Sequence, residues 1–436
     1  MNESLALWAA SVMLGTFFFL TMLRVPMVFS MLASVTAVFL YIKPQMLSFV
    51  PQMAMLTEND SLEAFVFMIL SFKLLQRGTL LERMTALVNV LVGRFSGGRS
   101  HTAILEMLSL GCFSGRAFSK IKGMGAEAIS LMKQSGYASE FATVVTVMGA
   151  CQSILFPVSP NMVILATGMG GLSVTAIFAA GMIPFVLMAA ILLAMSFLLS
   201  RRYHYPKEIR QLSHGQAFSI AGDAGLVSVA PVILLFCPFF WGVSVDDSAA
   251  LACGYLMLLS LFVYRDIKFS MLPSVFLSAL KSIAVPVSLM AGSLPVIWMI
   301  HVFDMPNLLA SYVLGFTTQP PVLLFGIVLL LLLLGAFVDI IPLLFIMPVL
   351  LAPLIKVCGL HPIHFGIVMI YSFSMGLCIP RIGGAFVAGC KVAGTSRKLA
   401  AKAALPFYVA LLAGLMLIVC VPELSLWLPK ALGLMR

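Results

Sequence analysis

Charge is what this sequence has least of. Asp, Glu, Lys and Arg make up 10% of its 436 residues, against about a quarter in soluble globular domains, which excludes a water-soluble fold. Catalytic signatures are missing too. No HExxH, GxSxG or Walker loop occurs, so the usual hydrolase and ATPase constellations are absent and nothing points to an enzyme. The eight cysteines contain no CxxC pair and sit singly in apolar segments, as small buried hydrophobes rather than metal or redox ligands. His361 and His364 lie close together, but no further His or Cys completes a metal-ligand set.

What the chain has is apolar sequence: 61% hydrophobic residues and a mean hydropathy of +1.10. A helix needs roughly 20 apolar residues to cross the hydrocarbon core. Runs approaching or exceeding that length recur at 5–23, 174–200, 226–241, 249–264, 322–337 and 404–421. The fold class is therefore all-α, a polytopic membrane protein. The first run is too long for a signal peptide and lacks a basic flank and a small-residue cleavage site, so it reads as a retained helix.

The formal charge of +10 does not point to nucleic acid, because the basic residues are spread over the ends of alternate spans. They fall at Arg24; at Arg77, Arg83, Arg94 and Arg99; at Arg201, Arg202, Lys207 and Arg210; at Arg265 and Lys268; at Lys356; and at Arg397, Lys398 and Lys402. Acids occupy the intervening loops, at Glu58 and Asp60, Asp246 and Asp247, Asp304 and Glu423. Positive loops stay in the cytoplasm, so both termini are expected on the periplasmic side.

Laid against itself at a shift of about 224 residues, the chain repeats. "LSLGCFSGRAF" (108–118) meets "LLLGAFVDIIP" (332–342), "SILFPVSPN" (153–161) meets "LCIPRIGGA" (377–385), and "IPFVLMAAILLAM" (183–195) meets "LPFYVALLAGLML" (405–417). The first unit starts from a basic loop and the second from an acidic one, so the two have inverted topology. Inverted repeats with interrupted helices are a construction plan of secondary transporters. The expected order is a scaffold segment with an amphipathic cytoplasmic helix (1–99), a first repeat (100–200), a cytoplasmic linker (201–223), a second scaffold segment (224–321), a second repeat (322–421) and a periplasmic tail (422–436).

Each repeat carries two interruptions. A long apolar segment is broken at Ser114-Gly115 in the first and near Asp339–Pro342 in the second. A second segment has a proline-marked tip, around 156–160 and around 380–384, and reads as a re-entrant hairpin. Arg381 occupies the second tip. A cation there is costly against lipid and needs a partner or a task.

Six stretches together resemble one family: "RVPMVFSM" (24–31), "LLQRGTLLERM" with "LVGRFSGG" (74–98), "FSGRA" (113–117), "GAFVDIIPLLFIMPVLLAP" (335–353), "HPIHFGIVM" (361–369) and "VPELSLWLP" (421–429). They resemble the large permease subunit of tripartite ATP-independent periplasmic (TRAP) transporters, within the ion-transporter superfamily. The resemblance implies an elevator-type importer in the bacterial inner membrane. It also implies a small four-helix membrane subunit and a periplasmic substrate-binding protein as partners, membrane lipid around the chain, a small organic anion as substrate, and sodium as coupling ion with no other cofactor.

Carried over by position, the resemblance implies ion-binding residues Ser114, Gly115, Pro157, Asp339, Gly376 and Pro380. Arg116, Gln152, Asn161, Ser374 and Arg381 would line the substrate site, where the planar fork of Arg suits a carboxylate. Four departures stand out. Arg116 replaces a small polar residue, Lys120 an acid, Ile340-Ile341 a hydroxyl pair, and Ala385 an Asn. They remove oxygen ligands and add positive charge where a cation would bind. An ion pair of Arg116 or Arg381 with Asp339 or Glu106 would put a built-in cation in its place. Two alternatives remain open: a stand-alone carrier coupled to protons through Asp339 or Glu106, and a degenerate sensor or assembly subunit.

Overall fold

The computed structural model describes residues 3–42, 61–206 and 214–435. Glu58, Asp60, Lys207 and Arg210, used above to read the topology, lie outside them. Among the described residues every regular element is a helix, and eight helices are long and apolar enough to cross a bilayer, or up to ten with two bent pairs included. The chain is a multi-pass membrane protein.

The frame comprises α1 (Glu3–Met22), α2 (Met27–Ile42), α3 (Ser61–Arg77) and α4 (Leu80–Val92). α1 is apolar on all sides yet only 17% of its central window is buried, as expected of a helix that faces lipid. α4 turns 81° from α3, which lays the amphipathic segment across that span. The elbow is pinned by Asp266, whose carboxylate accepts from Thr79 N at 2.6 Å and Thr79 Oγ1 at 2.9 Å.

The first repeat contains α5 (Gly98–Ser109), α6 (Ala117–Lys120), α7 (Ala126–Gln134), α8 (Ser139–Gln152), α9 (Pro160–Gly168) and α10 (Val174–Arg202). The frame resumes with α11 (His214–Phe240), α12 (Val245–Leu258), α13 (Leu272–Val302) and α14 (Met305–Phe316). The second repeat follows as α15 (Pro320–Phe337), α16 (Ile340–Val357), α17 (Pro362–Leu377), α18 (Gly384–Ala393) and α19 (Arg397–Cys420), and α20 (Glu423–Ala431) closes the chain.

Hairpins and broken spans exchange places relative to the sequence expectation. The segment around Ser114-Gly115 is the hairpin. Arg99, Thr102 and Glu106 of α5 share one cleft with Glu127, Ala128 and Leu131 of α7, and both open ends reach the basic end of the molecule. There Ser100 Oγ lies 2.8 Å from Ser196 Oγ near the end of α10, and Lys133 Nζ donates to Ala393 O at 2.6 Å. The segment around Asp339 is the second hairpin, with its open ends together: Cys358 Sγ lies 3.9 Å from Pro320 O.

The segments around Pro157 and Pro380 cross. α8 and α9 bend by 48° at their break, far short of a reversal. α17 begins where His364 Nδ1 meets Ser425 Oγ at 2.6 Å, and the end of α18 leads to Thr395, 2.5 Å from Ser139 Oγ at the start of α8. One hairpin and one broken span per repeat survive the exchange, so the inverted topology is unchanged.

The physical reason lies in where glycine permits contact. A Cβ at Gly111 would strike Ser153 O, and one at its repeat equivalent Gly335 would lie 2.6 Å from Phe373 O. The hairpin arms thus press backbone to backbone against α8 and α17, which are buried from Phe141 to Gln152 and from Ile363 to Leu377.

Three further readings change. Lys356, taken with the basic loops, sits two residues from Cys358 at the open end of the second hairpin, because that arm returns to the side it came from. The segment 201–223 is helical from His214, and Tyr205 folds back to stack on Tyr137 at 4.4 Å. The tail 422–436 carries α20, held by the His364–Ser425 contact.

Candidate functional site

Three contacts join residues exactly 223 positions apart, one short of the repeat shift. Arg116 Nη2 is 3.4 Å from Asp339 Oδ2, Ser374 Oγ donates to Cys151 O at 2.9 Å, and Gln152 Nε2 lies 3.4 Å from Met375 Sδ. A residue touches the neighbour of its own repeat equivalent only beside the pseudo-two-fold axis. Both hairpin tips and both helix breaks therefore meet at the centre.

Each tip has a local cause. Val338 and Asp339 are extended (ψ 146° and 143°), and Asp339 caps α16 by accepting Ile341 N at 3.2 Å through Oδ1. Its other oxygen faces Arg116. The pair is partly shielded, with side-chain exposures of 34% for Arg116 and 18% for Asp339. At the first tip Asn161 donates through Nδ2 to Gly115 O at 2.8 Å, and a Cβ on Gly115 would lie 2.9 Å from Asn161 Oδ1. Asn161 Oδ1 and Gln152 Oε1 are buried there and accept no hydrogen bond from a described residue. Ser114 and Pro157 are buried at the same centre.

Of the ion pairs weighed from the sequence, Arg116–Asp339 forms. Glu106 instead accepts from Thr85 Oγ1 of α4 at 3.0 Å, which ties the first hairpin to the frame, as does the bond from Thr102 Oγ1 to Asn89 Oδ1 at 3.2 Å. These residues border a cleft of about 400 Å³. Arg381 stands apart in the second break. It is exposed, its backbone is left-handed at φ 76°, and no described residue pairs with it. Pro380 precedes it, half-buried.

Oxygen donors for a cation are sparse. Ile340 and Ile341 are buried where hydroxyls would serve, and among the described residues no group of three His, Cys, Asp or Glu could hold a metal. Sequence reasoning missed Ser153, whose hydroxyl accepts from Lys120 Nζ at 2.6 Å. Lys120 was visible as a basic residue where the family pattern has an acid; Ser153 left no signal, since its repeat equivalent is Leu377.

Gly376 carries a direct prediction. A Cβ there would run into Leu332 O and lie 2.8 Å from Gly335 C, backbone atoms that a rotamer change cannot move. Gly376→Ala is expected to cost about 2–3 kcal/mol through overpacking, read as a lower melting temperature in detergent. An unchanged melting point would mean the arms separate freely there.

Residues 14–424 match the family described as the tripartite ATP-independent periplasmic transporter, DctM component. The sialic acid TRAP transporter large permease protein SiaM of Vibrio cholerae is 28% identical over 86% of this chain and 87% of its own. The C4-dicarboxylate TRAP transporter large permease protein DctM of Pseudomonas aeruginosa is 28% identical over 87% of this chain and 88% of its own. Among solved structures, the YdaH transporter of Alcanivorax borkumensis superposes with a TM-score of 0.55 at 14% identity, covering 89% of each chain, a likeness of fold.

Proposed function

Since the chain belongs to the DctM-component family of tripartite ATP-independent periplasmic transporters, we propose that it is the large permease subunit of such a system and carries a small organic anion across the bacterial inner membrane. The observation that carries the anion is Arg381, exposed at the second helix break and without a partner among the described residues. Relatives named for sialic acid and for C4-dicarboxylates, both carboxylates, support it.

In this reading the two hairpins and two broken spans move together as an elevator against the frame, driven by an inward sodium gradient. A boundary that slides is best made of contacts without direction, and the second hairpin offers one. Leu343, Met347 and Leu350 face Met13, Phe17 and Val296 across an apolar cavity of about 320 Å³. The first hairpin meets α4 through hydrogen bonds between side chains, Thr85 to Glu106 and Thr102 to Asn89, which can exchange during a stroke.

A small four-helix membrane subunit and a soluble periplasmic binding protein complete the system. Proteoliposomes holding all three components are expected to accumulate a labelled organic acid, and the chain alone is expected to give no flux. Equal uptake without the partners would make it a stand-alone carrier, and no uptake with every partner present would sink the transport reading.

A further inference from the structure

We propose that Lys120 is a tethered cation, filling from within the chain the place that a coupling ion takes at the end of a broken half-helix. This deepens the transport reading and rests on it. In transporters built from interrupted helices, the carbonyl ends of half-helices coordinate coupling cations, because unpaired C=O groups and the negative pole of the helix gather there. α8 ends in that way at Gln152, followed by a single 3-10 turn, Ser153–Leu155.

That end is already occupied by the chain's own donors. Ala150 O accepts from Ser153 Oγ at 2.5 Å and Cys151 O from Ser374 Oγ at 2.9 Å. Ile154 O accepts from Ser159 Oγ at 3.3 Å and from Asn161 Nδ2 at 3.5 Å. Against this cap lies the Lys120 ammonium, 0% exposed, donating to Ser153 Oγ at 2.6 Å. No carboxylate among the described residues pairs with it. A buried ammonium without a counter-charge is strongly disfavoured, and the polar partner it has is the Ser153 hydroxyl, which in turn donates to Ala150 O at the carbonyl end of α8. Lysine thereby bridges the first hairpin to the first broken span, as a shared ion would.

The second repeat lacks this device. The positions equivalent to Lys120 and Ser153 are Leu344 and Leu377, both buried and apolar. The inverted halves are therefore unequal in charge. The first brings its own cation, and any coupling ion is confined to the second.

The test is binding of radioactive sodium to the purified chain, with melting temperatures in NaCl and KCl. Lys120→Ser opens a space lined by hydroxyl and carbonyl oxygens. It is expected to bind one more sodium ion per chain than the wild type, and to gain several degrees more from NaCl over KCl. Lys120→Met removes the charge without supplying oxygen and is expected to gain neither. If Lys120→Ser and Lys120→Met respond alike to the two salts, lysine only fills space and the proposal fails.

Should Lys120→Ser not fold, Ser153→Ala decides. With lysine already in place, its sodium binding is expected to equal the wild type's, and a drop would make Ser153 a sodium ligand and overturn the assignment. Neither readout needs substrate or partner subunits. Absent uptake would count against the transport reading while leaving this one to stand or fall on sodium.

Discussion

Arg381→Gly is expected to make the chain more stable and to silence it. Arg381 holds φ at 76°, a left-handed conformation that costs an L-residue roughly 1–2 kcal/mol and glycine almost nothing. Strain of this kind persists where the surrounding structure imposes it, and it clusters at binding sites. Nothing among the described residues draws the guanidinium into a pair, so the strain serves no visible packing purpose. Glycine should therefore raise the melting temperature. It also deletes the free cation, and losing a charge-assisted pair with a carboxylate costs about 1.5–3 kcal/mol, a drop in uptake of tenfold or more. Arg381→Lys keeps the charge but loses the planar fork and is expected to fall between. Wild-type uptake in the glycine variant would remove Arg381 from the substrate path.

Asp339→Ala should have the second large effect, because one side chain does two things. Through Oδ1 it caps α16, and through Oδ2 it faces Arg116 across the axis. Loss of a cap costs about 1 kcal/mol. The pair is partly exposed and contributes at most about 1 kcal/mol more. Roughly 2 kcal/mol of stability should go, together with most of the uptake, since the two tips lose the contact that sets their spacing. Asp339→Asn keeps an acceptor for Ile341 N and isolates the charge. In a double-mutant cycle, Arg116→Ala and Asp339→Ala are expected to couple by about 1 kcal/mol. Additivity within about 0.3–0.5 kcal/mol would show that the pair holds nothing together.

The sequence disclosed the parts of this site better than their arrangement. Repeat and charge map together exposed four breaks, and Arg116 and Asp339 stood out as charges inside apolar segments. Which break reverses the chain was not legible. Ser114-Gly115 and Phe156-Pro157 both look like punctuation between apolar arms, and only packing separates a 48° bend from a full reversal. That packing turns on Gly111 and Gly335, whose missing side chains admit the neighbouring backbone.

Lys356 misled for the same reason: a positive residue reports the side of a crossing, and its helix does not cross. α20 escaped notice because nine residues with an internal proline carry too little periodicity to separate a docked helix from a tail. Ser153 was invisible because a single hydroxyl in an apolar run normally bonds its own helix. Only the fold brings Lys120 to it.

The ammonium at the end of α8 also bears on how steep a gradient the protein can build. A charge fixed to the chain travels out and back in every cycle and does no net electrical work, whereas a free cation enters once and stays. Each univalent ion that moves down 100 mV contributes about 2.3 kcal/mol, enough to raise the limiting ratio of internal to external solute about fiftyfold. In the proposed sodium-driven cycle, lysine in place of one such ion would spend less of the membrane potential per molecule taken up and reach a lower ceiling.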